Sequence, residues 1–223
     1  MYLGDLLKMN IFKVFKRNKD IVKLAVPVFL ELILSVAMGY INQFMLAGIP
    51  IASNAVSQAN QISNIFIVSF SVFSTSSLIL ITQLKGSGNN ELLNKVYSLS
   101  FWINFILGVV VSSLVIGLAD PLFRMMQVAD NVFLCAVMYQ YVSGASIIFL
   151  ALNQVLSSFL RANKKMTQPM LIAVITNVVN AIGVAITLWA FPDGTLDPIQ
   201  KVIGVGLSTL ISRGVGFILS LVF

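Results

Sequence analysis

The chain has 223 residues, 58% of them hydrophobic and only 10% charged, with a net charge of +6 and a mean hydropathy of +0.94. Soluble domains carry about 25% charged residues, so charge this sparse cannot cover a water-facing surface and lipid must cover most of it. The basic residues sit in short loops between apolar runs, not in a basic stripe interleaved with aromatics, which excludes a nucleic-acid partner. One cysteine, Cys135, and no histidine exclude an internal disulfide and a Cys/His zinc site, and remove the commonest general base.

Residues 1–20 mix Leu3, Leu6, Leu7, Ile11, Phe12, Val14 and Phe15 with Lys8, Lys13, Lys16, Arg17 and Lys19. No small-residue cleavage site follows an apolar core, so this is not a cleavable signal. It reads either as an amphipathic helix on the inner leaflet or as a basic tail. Residues 21–223 then form the membrane domain. A helix crosses the hydrocarbon core with about 20 apolar residues, and six stretches qualify: Leu24–Ala47, Ala55–Leu84, Val96–Leu118, Val132–Leu160, Met170–Phe191 and Val202–Phe223. The roughly 10-residue alternating segments of a transmembrane barrel are absent. The expected fold class is therefore all-α, a polytopic bundle of six spans. Turns are expected at Gly48-Ile49-Pro50, Gly86–Asn90, Asp120-Pro121 and Pro192-Asp193-Gly194.

Loop charge sets the orientation. Eleven basic residues precede span 1 or lie in the 2–3 and 4–5 loops, against Arg124 and Lys201 on the other side. The positive-inside rule then puts both termini in the cytoplasm.

Polar side chains at bilayer depth are costly and usually face a bundle interior or a wet cavity. In span 1, Glu31, Ser35, Met38 and Asn42 follow at i, i+4, i+7 and i+11, so Glu31 and Asn42 share an azimuth roughly 16 Å apart. Span 2 aligns Ser57, Gln61, Asn64, Ser71 and Thr75. Span 4 offers Tyr139, Ser143, Ser146, Asn153 and Ser157, and span 5 pairs Asn177 with Asn180. Spans 1, 2, 4 and 5 read as cavity walls and span 3, nearly all apolar, as support. The serines are better explained as interhelical hydrogen bonds. The large amides Asn42, Gln61, Asn153, Asn177 and Asn180, with Glu31 and Met38, are the candidate cavity residues. In span 6, Ser208, Ser212, Gly216 and Ser220 form a small-residue ridge suited to close packing. Arg213 lies mid-span there and needs a partner. Glu31 is the only acidic residue inside any span, so one reading is an ion pair between them, and the other is snorkelling or a water-filled cleft. No phosphate loop, metal cluster or nucleophile–base constellation appears, which argues against an enzyme and against direct ATP driving.

These residues resemble the N-terminal half of a multidrug and toxic compound extrusion (MATE) transporter. The stretches that carry the resemblance are LAVPVFLELIL, INQFMLAG, NAVSQANQISNIF, TQLKGSGNNELLNKVYSLS, LNQVLSSFLRANKKMTQPMLI and NVVN, in the family's order from about Leu24 onward. The resemblance implies one lobe of a twelve-helix transporter in the plasma (inner) membrane, its second six-helix lobe lying beyond this truncated chain. It implies exchange of H⁺ or Na⁺ for a small organic, often cationic, compound by alternating access in the lipid bilayer, with no cofactor. Asn153, Asn177 and Asn180 match amides of the family's cavity. Two positions depart: Asn42 and Val184 stand where many members carry an aspartate, which removes the simplest means of proton coupling. A lipid-linked oligosaccharide flippase of the same superfamily, and a degenerate non-transporting membrane protein, are the competing expectations.

Overall fold

The computed structural model describes residues 19–189 and 197–223. Among the described residues eight helices follow one another: α1 Lys19–Met45, α2 Pro50–Ser87, α3 Asn90–Gly117, α4 Ala119–Met125, α5 Asp130–Ala145, α6 Ile147–Ala162, α7 Thr167–Trp189 and α8 Pro198–Val222. The fold is all-α, as the sequence predicts. The basic segment expected over residues 1–20 lies outside the described residues except for its last two, which open α1. The expected turn at Pro192-Asp193-Gly194 lies outside them altogether.

Local chemistry sets the ends of these helices. Pro50 opens α2, where its missing N–H is no loss. The helix stops at Gly88, whose left-handed φ of 73° costs glycine nothing. Asn89 caps α3 by accepting the Leu92 N–H at 3.1 Å. At the head of α8 the Gln200 side chain accepts the Asp197 N–H at 3.3 Å. Asp120-Pro121, expected as a plain turn, instead lies within the short helix α4, where Asp120 receives Arg124 at 2.7 Å one turn on.

Among the described residues five helices are long and apolar enough to span a membrane: α1, α2, α3, α7 and α8. The sixth span, expected as one helix over Val132–Leu160, is broken into α5 and α6 with a 41° bend. No proline lies there. The Ser146 hydroxyl donates to the Ser143 carbonyl at 2.5 Å, and the Gly144 carbonyl accepts from Ser112 of α3 at 2.9 Å. Side chains thus occupy carbonyls that the helix ladder would otherwise use, a known cause of kinks. Periodicity alone cannot reveal such a break.

This bent span is the centre of the bundle: α6 packs on α2, α3 and α8, and α5 on α2 and α8. Helix α1 packs on α7 and α2, and α7 packs on α8. Twelve of the 16 residues of α6 are buried. The other spans bury one stripe and present Phe29, Ile65, Val72, Trp102, Ile106, Ile182 and Trp189 outward, the apolar belt that lipid covers. The ridge on α8 is buried throughout. A Cβ on Gly216 would sit 2.5 Å from the Thr176 methyl, which shows how closely α7 and α8 approach. The chain is a multi-pass membrane protein.

Candidate functional site

Two polar layers lie one above the other along α1. The inner one is sealed. Asn42 of α1 donates to the Thr209 hydroxyl oxygen at 3.0 Å, and Asn180 of α7 donates to the same oxygen at 3.2 Å. Thr209 spends its own proton on the Val205 carbonyl at 3.1 Å. Three helices therefore meet at one saturated hydroxyl, beside the buried Tyr139 of α5. Asn42 and Asn180 are 0% exposed, yet both amide oxygens lack a partner. Buried acceptors are normally satisfied, so each of these two oxygens is left open to a donor or a cation.

The outer layer is a narrow, partly open cavity between α1, α6, α7 and α8, with room of only about 60 Å³ for the centres of water-sized spheres. Glu31, Met38, Asn153, Thr176, Asn177 and Arg213 line it. Asn177 donates to the Leu34 carbonyl at 3.0 Å, tying α7 to α1, and to the Ala173 carbonyl at 2.8 Å. Asn153 donates to the Arg213 carbonyl at 3.1 Å, tying α6 to α8. The amide oxygens of both asparagines are again buried and unpartnered. Ligand sites commonly combine apolar walls with a few such convergent polar groups.

The ionised groups depart from expectation. Glu31 pairs with Arg161 at 2.7 Å, not with Arg213, and both members are buried. The approach is close but poorly aligned for a hydrogen bond, so the contact is an ion pair. Arg161 reads from sequence as a loop charge, because the 4–5 loop is basic. Helix α6 runs to Ala162, one residue further, and its last turn carries the guanidinium back under Glu31. Arg213 Nη1 donates at 2.7 Å to Ser146, at the bend of span 4.

The candidate residues are thus brought together except for one. Glu31, Met38, Asn153 and Asn177 share the cavity, while Asn42 and Asn180 share the sealed cluster. Gln61 stands apart on an exposed face of α2, bonded to Gln58 at 3.1 Å. Sequence reasoning missed Arg161 and Thr209, and also Gln140, which is fully buried with neither amide atom partnered. Only its place three residues before Ser143, on the same face, could have singled Gln140 out.

The family model MatE matches residues 27–186. The chain belongs to the MatE family. A Bacillus subtilis (strain 168) protein named uncharacterized transporter YisQ is 30% identical over 200 residues, covering 88% of this chain and 43% of that one. The fold is similar to a solved structure of MATE in the bent conformation, with a TM-score of 0.81 at 21% identity over 90% of this chain. It is also similar to an outward-facing multidrug resistance MATE family transporter of the MOP superfamily, with a TM-score of 0.74 at 20% identity over 90% of this chain. Each solved chain is covered to 43% of its length. The chain thus spans less than half the length of the relatives it matches, in agreement with the six-helix N-terminal half that the resemblance implies. Within a MatE lobe, the two polar layers lie on the four helices α1, α6, α7 and α8, joined end to end by the Glu31–Asn42 stripe.

Proposed function

We propose that this lobe belongs to an ion-coupled antiporter that exports organic compounds by alternating access, with both termini in the cytoplasm of a cell whose plasma membrane it spans. The observation that carries this reading is the stacking of a sealed cluster of neutral oxygens above an open, amide-lined cavity in a MatE-family lobe. A second lobe completes the central chamber, and the two rock about it.

Coupling is assigned to the sealed cluster. Asn42 does not titrate, and Val184 offers no carboxylate. The Asn42 and Asn180 amide nitrogens are spent on the Thr209 hydroxyl, which leaves both amide oxygens without a donor, and hard cations take neutral oxygens of this kind. Na⁺ is therefore the favoured coupling ion, and Glu31, held in its pair with Arg161, serves structure. The cavity below takes the organic substrate. The flippase reading is weaker, because Arg213 is the one cavity-lining cation outside an ion pair among the described residues.

The test is transport by the intact protein in sealed vesicles. An imposed ion gradient should drive accumulation of an organic dye against its own gradient, and dissipating it with an ionophore should stop the flux. Dye movement that ignores every ion gradient, or that requires ATP, would overturn the reading.

A further inference from the structure

The cavity's charge has a definite sign. Two ionisable side chains line it, Glu31 and Arg213. Glu31 is neutralised at 2.7 Å by Arg161. Arg213 has no carboxylate within pairing distance among the described residues; its one hydrogen bond is to the neutral Ser146 hydroxyl at 2.7 Å. A guanidinium carries five donors in a fixed fork suited to carboxylate, sulfonate and phosphate. One of the five is spent here.

Position reinforces the point. Arg213 lies nine residues before the end of α8, roughly 14 Å inside the helix terminus at 1.5 Å per residue. It is turned towards Ser146 and Tyr139, within the lobe, rather than along α8 to the headgroups. An intramembrane cation that neither snorkels nor pairs is expensive, and such residues mark substrate paths. The same cavity holds the Asn153 and Asn177 oxygens, acceptors without donors, and the apolar Met38, Leu150 and Ile172.

We propose that the cavity binds an organic anion: an apolar body carrying an oxyanion held by Arg213, with N–H or O–H groups that satisfy Asn153 and Asn177. This rests on the transporter reading but narrows it, and it reverses the cationic preference that the family resemblance implies. The oxyanion can belong to a soluble compound or to a lipid headgroup.

Binding to the intact protein in phosphatidylcholine nanodiscs tests it, with naphthalene-1-sulfonate and its cationic counterpart naphthyl-1-trimethylammonium as probes. Wild type should prefer the sulfonate. Arg213→Gln should weaken sulfonate binding by roughly tenfold or more, the scale of one lost charged hydrogen bond, and Arg213→Lys should restore part of it. Should Arg213→Gln fail to fold, Glu31→Gln decides: removing the negative charge of Glu31 from the cavity wall should tighten the sulfonate, whereas a cation site would lose its ammonium affinity. Phosphatidylglycerol in the discs should suppress sulfonate binding if a lipid supplies the anion, and leave it unchanged if a soluble compound does. Equal binding of both probes, or sulfonate affinity indifferent to Arg213→Gln, would overturn the proposal even with dye transport intact. Sulfonate selectivity without any gradient-driven transport would instead count against the transporter reading alone.

Discussion

Replacing Arg161 by leucine removes the only ion-pair partner, among the described residues, of a carboxylate that is 5% exposed. Breaking a buried pair from one side costs about 3–5 kcal/mol, because the remaining charge stays desolvated. The reverse change is milder. In Glu31→Gln the stranded group is Arg161, one residue from the end of α6, whose long side chain can turn its charge towards water. Combining the two leaves no buried charge, so the double variant should be more stable than Arg161→Leu alone, with a coupling energy of about 2 kcal/mol. Equilibrium unfolding of the four proteins in mixed detergent–SDS micelles reads the cycle directly. A parallel cycle with Arg213→Leu supplies the control, since Arg213 bonds Ser146 and not Glu31. That cycle should be additive to within about 0.5 kcal/mol. Additivity in the Arg161 cycle, or strong coupling in the Arg213 cycle, would refute the charge assignment.

Other changes follow from the same contacts. Ser146→Ala strips Arg213 of its hydrogen-bond acceptor and should destabilise the lobe by about 1.5–3 kcal/mol in the same assay. Gly216→Ala forces a methyl against Thr176 and should cost about 1–3 kcal/mol, most of it recovered when Thr176→Ser removes the opposing methyl. Single cysteines at Asn89 and Lys164 should react with impermeant reagents only from the cytoplasmic side, and one at Ser53 only from outside. The native Cys135 is buried and should stay silent; labelling of Lys164 from outside intact cells would break the six-span topology.

The spans were legible because their signal is compositional: about 20 apolar residues between charged loops fix a helix whatever it packs on. The amide stripes were legible for the same reason, since a large polar group in hydrocarbon must face inward, and Asn42, Asn153, Asn177 and Asn180 all do. Partner choice was not legible. Glu31 and Arg213 share a cavity, yet which arginine closes on Glu31 depends on how far α6 runs before its last turn, a matter of one or two residues. The bend at Ser146 was hidden because a hydroxyl bonding back to its own helix leaves no mark on periodicity. Gln61 shows the opposite failure, a polar residue placed correctly on a stripe that faces away from the cavity of this lobe.

The most direct test of coupling through the sealed cluster is flux by the intact protein in vesicles, measured under a Na⁺ gradient at fixed pH and under a pH gradient at fixed Na⁺. Flux should be driven by Na⁺, lost in Asn42→Leu and kept in Glu31→Gln, with a new pH dependence in Asn42→Asp. Flux driven by the pH gradient in wild type and abolished by Glu31→Gln would contradict it.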